Sequence, residues 1–115
     1  MKANEVMLGD WVMLTDPIHN GEKVQVKEIH TDGYITVDGG IVPMFEPIQL
    51  TAEILEKNGF LHSMLNNDWT NDKVDFILVE HGDGYRVQNT SMTLVNVHEF
   101  QHALRLCGIE KEIEL

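Results

Sequence analysis

Five consecutive residues, His98-Glu99-Phe100-Gln101-His102, match the pattern H-E-x-x-H. On a helix, two histidines four apart point the same way and can hold a zinc ion. The glutamate beside the first can then act as general base on a metal-bound water. Read alone, the motif predicts a zinc-dependent hydrolase, with His98 and His102 as ligands, Glu99 as catalytic base and zinc as cofactor.

Four features of the surrounding chain oppose that chemistry. The motif is short, and a chain with six histidines and eleven glutamates produces it by chance with a probability of roughly 0.03. Val97, Phe100, Leu104 and Cys107 recur at helical spacing as an apolar stripe, which turns His98, His102 and Arg105 toward the opposite, solvent-facing side. A catalytic zinc takes three protein ligands, yet Gly108 stands six residues beyond His102, where a third histidine would close the longer form of the motif. Arg105 also places a fixed positive charge beside the supposed cation. A structural role accounts for the same residues. Asn96 suits an N-cap, Glu99 is then the N3 residue that reaches back to it, and Val95 and Phe100 occupy the staple positions. The preferred expectation is therefore no catalytic residue, no metal ligand and no cofactor.

Other chemistry-bearing residues are weaker. Gly82-Asp83-Gly84 and Asp38-Gly39-Gly40 are turns rather than phosphate loops. Asp68, Asp72 and Asp75 lack the spacing of a calcium loop. His19, His30, His62 and His81 fall in loops or at strand ends, where a solvated imidazole is expected. Ser63 and Ser91 have no glycine elbow. Cys107, on the apolar stripe, is expected to be a buried, inert thiol.

The elements that would position these residues follow from pattern and punctuation. Across residues 1–50, Trp11-Val12-Met13-Leu14, Lys23-Val24-Gln25-Val26-Lys27, Tyr34-Ile35-Thr36-Val37 and Ile41-Val42 read as short strands. Asp-Gly turns separate them, and Pro43 and Pro47 confine the next segment to an edge or loop. That is the material of an SH3-like small β-barrel. A short helix begins after Thr51 and stops at Asn58-Gly59. Residues 62–73 read as an irregular connection. A strand over residues 74–80 turns at Gly82-Asp83-Gly84 into a second over residues 85–88, and a third is available at residues 92–95. A helix over residues 97–107 closes at Gly108, and residues 109–115 form a terminal strand or a frayed tail. The fold class expected is α+β in one compact domain, residues 1–50 forming the SH3-like β part and 51–115 the α+β part.

Composition narrows the function. The 115 residues carry eight Lys or Arg against nineteen Asp or Glu, a net charge of −11. The acids are spread along the whole chain rather than gathered in a tail. Such a field repels nucleic-acid backbones and anionic membranes, but not a basic partner protein. An acidic decoy imitating nucleic acid is a third reading, with plain solubility the simpler account of the same charge. A lone cysteine excludes an internal disulfide, and Met1-Lys2-Ala3-Asn4-Glu5-Val6 lacks the apolar run of a signal peptide, so a cytoplasmic location is expected. No apolar run of membrane-spanning length occurs. The oligomeric state is left open.

Three segments together carry a resemblance: Met1-Lys2-Ala3-Asn4-Glu5 with Leu8-Gly9-Asp10-Trp11-Val12, then Glu46-Pro47-Ile48-Gln49-Leu50-Thr51 with Ile54-Leu55-Glu56-Lys57-Asn58-Gly59-Phe60, and finally Val97-His98-Glu99-Phe100-Gln101 with Ala103-Leu104. In that order they resemble small uncharacterised proteins from phage-like and mobile regions of Bacteroides-type bacteria. That family has no established activity to transfer. Its closing pattern is similar to V-H-x-L-Q, matched here by Val97, His98 and Gln101 with Phe100 in the Leu place. The resemblance implies that Glu99 and His102 are local variation rather than ligands. The functional expectation is a non-enzymatic accessory or protein-interaction protein, with the zinc hydrolase as the alternative.

Overall fold

Asp10, buried at the entrance to the first strand, accepts a hydrogen bond from the Met7 backbone N–H at 2.8 Å. The chain leaves that turn as β1 (Trp11–Leu14), whose alternate residues Val12 and Leu14 are buried. The computed structural model describes all of residues 1–115, and the chain divides into two compact units, Met1–Ile48 and Gln49–Leu115. Strand outweighs helix, 35% against 17%, which makes the chain α+β.

In the first unit, β1 is followed by β2 (Lys23–Gln25), β3 (Glu28–Ile29), β4 (Ile35–Val37), β5 (Gly40–Val42) and β6 (Phe45–Glu46). They form two three-stranded antiparallel sheets, ordered β2-β1-β6 and β3-β4-β5. The expected barrel is therefore not closed. The reason lies in the run 23–27, expected as one strand: only Lys23–Gln25 is strand, and the chain passes to the other sheet at its end. Val26 donates its N–H to Asp10, whereas Lys27 donates to Thr36 on β4, so adjacent residues pair in different sheets. Between the sheets' residues, Val12, Leu14, Val26, Ile35, Val37, Val42 and Phe45 form one apolar cluster. Pro43 and Pro47 flank β6, which lies at the edge of its sheet.

In the second unit, Thr51 caps α1 (Ala52–Lys57) by accepting from the Ile54 N–H. The helix stops where Gly59 takes φ +87°, a conformation with little cost only for glycine. Five strands follow: β7 (Leu61–Ser63), β8 (Asp68–Asn71), β9 (Val74–His81), β10 (Gly84–Val87) and β11 (Thr93–Leu94), in a sheet ordered β11-β10-β9-β8-β7. Gly84 is required there by crowding, because a Cβ would lie 2.3 Å from the Leu94 carbonyl oxygen. The β7–β8 hairpin corrects the expected irregular connection at residues 62–73. Its strands carry mostly polar residues, and only Trp69 is fully buried.

The final helix, α2 (Val97–Leu106), carries a capping box between Asn96 and Glu99. Phe100 on this helix, Phe60 after α1 and Phe76 on β9 meet as a three-ring cluster, with centroids 5.6 to 6.5 Å apart. Two expectations change at the end of the chain. Cys107 is exposed rather than buried, because it is the C-cap, beyond the last buried turn at Leu104. Residues 109–115 are neither a strand nor frayed. Asn58 donates to the Glu114 carbonyl at 2.7 Å and accepts from the Glu114 N–H at 2.8 Å, Lys57 bonds the Leu115 carbonyl, and Ile113 is buried.

Candidate functional site

The motif residues lie on α2, where sequence placed them, but their surroundings differ from a solvent-facing pair. His98 is only 7% exposed and Gln101 is equally buried, while His102 is half-buried and Arg105 exposed. Buried positions 97, 98, 100, 101, 103 and 104 cover roughly 220° of the helix at about 100° per residue. The expected narrow stripe is thus a broad one that takes in His98. The two imidazoles come together edge to face, centroids 5.5 Å apart and planes 79° to one another.

Glu99 points elsewhere. One of its carboxylate oxygens accepts from the backbone N–H of Asn96 at 2.9 Å and of Val95 at 3.2 Å, which ties the carboxylate to the start of the helix. No group of three or more His, Cys, Asp or Glu side chains converges anywhere as a metal-ligand set. The His98–His102 pair could supply two ligands to a cation, and neither Glu110 nor Glu112 joins them.

A second constellation was not evident from sequence. On one face of the five-stranded sheet, His62 stacks on Trp69 with centroids 4.8 Å apart. Trp69 donates its indole N–H to Glu80 at 3.1 Å, His62 Nε2 lies 3.7 Å from the same carboxylate, and Tyr85 meets Trp69 edge-on at 6.3 Å. The register brings them together: His62 is opposite Trp69, and Glu80 is opposite Tyr85. Desolvation by burial, and then the Glu80 charge, raise the Tyr85 phenol above its ordinary value. Beside it lies a cavity of about 240 Å³ lined by Leu50, Thr51, Glu80, Asp83, Gly84 and Tyr85. Local alternation marked only the β9 and β10 members of this cluster, and the partners depend on pairings that no local pattern encodes.

Two of the remaining histidines, His19 and His30, are less solvated than expected. His19 Nδ1 lies 3.1 Å from Asp16 Oδ1, which also accepts from the Ile18 and His19 N–H groups. Desolvation would raise the Asp16 carboxyl, but these hydrogen bonds outweigh it and hold the group below its ordinary value. His30 Nε2 pairs with Thr36 Oγ1 at 2.7 Å. A broad cavity of about 620 Å³ in the first unit is lined by Met1, Ala3, Ile29, His30 and Asp32 among others. His81, at the end of β9, is exposed.

Compared with known proteins, the chain matches no family model, no curated protein and no solved structure. No helix is long and apolar enough to cross a membrane.

Proposed function

We propose that this chain is a non-enzymatic accessory protein that acts through protein–protein contact, of phage or mobile-element derivation, with an SH3-like first unit. The observation that carries the non-enzymatic reading is the engagement of Glu99. A general base must face a metal-bound water, and this carboxylate instead accepts two backbone N–H groups at the head of α2. Releasing it for catalysis would uncap the helix. The SH3-like reading rests on strand order. A single run over residues 23–29 serves both three-stranded sheets, and the last strand, β6, returns to pair with the first. The opening, middle and closing motifs described above support the mobile-element origin, and the −11 charge favours a basic partner.

A second reading keeps the zinc hydrolase, favoured by the 5.5 Å meeting of His98 and His102. Metal analysis of untagged protein separates the two. The accessory reading expects well below one zinc per chain, indifferent to His98→Ala and His102→Ala. Stoichiometric zinc that disappears in both variants would overturn it.

A further inference from the structure

The two ends of the five-stranded sheet are treated differently. Past β11, Gln49 pairs with Asn96 and the Leu50 N–H donates to the Val95 carbonyl, so that end is covered by the chain itself. β7, at the other end, pairs only with β8, and its outer side is open. Open edges are ordinarily guarded by shortness, lysine, proline or a bulge. Leu61-His62-Ser63 is short but has none of the others, and no charged residue occurs between Lys57 and Asp68 in a chain of net charge −11. The same hairpin presents the most exposed large apolar side chains of this unit in sequence proximity: Leu61 at 71%, Met64 at 89% and Leu65 at 95%.

We infer that this edge is a self-association surface, on which β7 pairs antiparallel with β7 of a second copy to continue the sheet across a two-fold axis. An unpaired strand side asks for another strand, and an isologous contact offers each copy the same neutral edge. Charge decides the occupant. A basic partner gains most where acids cluster, whereas two copies of an acidic chain meet with least repulsion where charge is missing. Pairing centred on His62 sets Leu61 across from Ser63 of the second copy and carries Met64 and Leu65 of each copy past the other's Leu61, alongside its residues 59–60. The strand is only three residues long, so the dimer is a weak one with a dissociation constant in the micromolar-to-millimolar range, as expected of a small interface. This inference does not depend on the fate of the histidine pair.

Sedimentation equilibrium of the full chain tests it, from about 5 μM to 1 mM at roughly 50 and 500 mM NaCl, across which the screening length shrinks severalfold. The expected result is a monomer–dimer equilibrium that tightens with salt, because screening relieves repulsion between like-charged copies. Leu61→Lys should weaken it by about tenfold or more, since an edge lysine blocks strand pairing, and Leu65→Lys should weaken it too, since it puts a charge into the apolar contact beside the strand. Both make the chain less acidic, so general repulsion cannot explain the loss. Leu106→Lys, at a side chain 76% exposed on α2, should leave dimerisation unchanged, and urea midpoints of all three should match the parent. A monomer at every concentration, an association that loosens with salt, or equal weakening by Leu106→Lys would overturn the inference.

Discussion

Truncating Phe100 to alanine should be the most damaging single change in the motif helix. Its ring is fully buried, packs edge-on against Phe60 at 5.6 Å and 70°, and meets Phe76 at 6.0 Å and 51°. The variant removes that buried surface and leaves a cavity bounded by the two remaining rings, a loss of about 3–5 kcal/mol in well-packed cores. Part of it comes from the aromatic pairs themselves, at about 0.5–1.5 kcal/mol each. Against a typical stability of ~5–15 kcal/mol and a urea slope of about 1–3 kcal/mol per molar, the midpoint should fall by about 1 M or more. Tryptophan fluorescence in a Trp11→Phe background, excited at the red edge of the tyrosine band, reports this unit alone, because Trp69 is then the sole tryptophan and is buried. Leu104→Ala should cost about 2–5 kcal/mol, and His102→Gln, at a half-buried position, less than about 1 kcal/mol. If His102→Gln were as damaging as Phe100→Ala, the energetics of α2 would lie in the histidine pair and the packing account would fail.

Three further outcomes follow from single contacts. Asn58→Ala removes the side chain that ties α1 to Glu114; it should cost about 1–3 kcal/mol and sharply raise hydrogen exchange at the Glu114 amide. Gly84→Ala places a methyl against the Leu94 carbonyl and should cost about 1–3 kcal/mol, whereas Gly39→Ala, with open space around it, should cost much less; paired urea melts compare them. Tyr85 holds its proton more tightly in the folded chain than in the unfolded one, so stability should fall as pH rises above 10.0, the ordinary phenol value, through the raised folded value. In Glu80→Gln the amide oxygen can still accept from Trp69, and the Tyr85 phenol, followed by ultraviolet absorbance, should move down toward 10.0 while staying above it, since desolvation is the larger cause.

What was legible in the sequence was whatever depends on neighbours a few residues away. Thr51 and Gly59 delimit α1, Asn96 and Glu99 form their capping box, and the β1 and β9–β10 segments lie where alternation and turn residues placed them. What was hidden depends on residues far along the chain. His98 is buried because the helix is covered over more than one narrow stripe, which periodicity alone cannot register. Cys107 escaped the core because the helix ended one residue before it. The hairpin of β7 and β8 has almost no apolar alternation, since Trp69 does most of the burying there. The tail is ordered by Asn58, more than fifty residues away. The cluster of His62, Trp69, Glu80 and Tyr85 draws one residue from each of four strands, so it exists only once register is set.

Glu99 separates a helix cap from a catalytic base, and the stability of two substitutions there is the sharpest measurement of which it is. If the carboxylate serves the helix start, Glu99→Ala should lose about 0.5–2 kcal/mol in urea melts. Glu99→Gln, whose amide oxygen can still accept from the Asn96 N–H, should stay close to the parent. Equal stability of the alanine variant and the parent would contradict the account and return Glu99 to the histidines beside it.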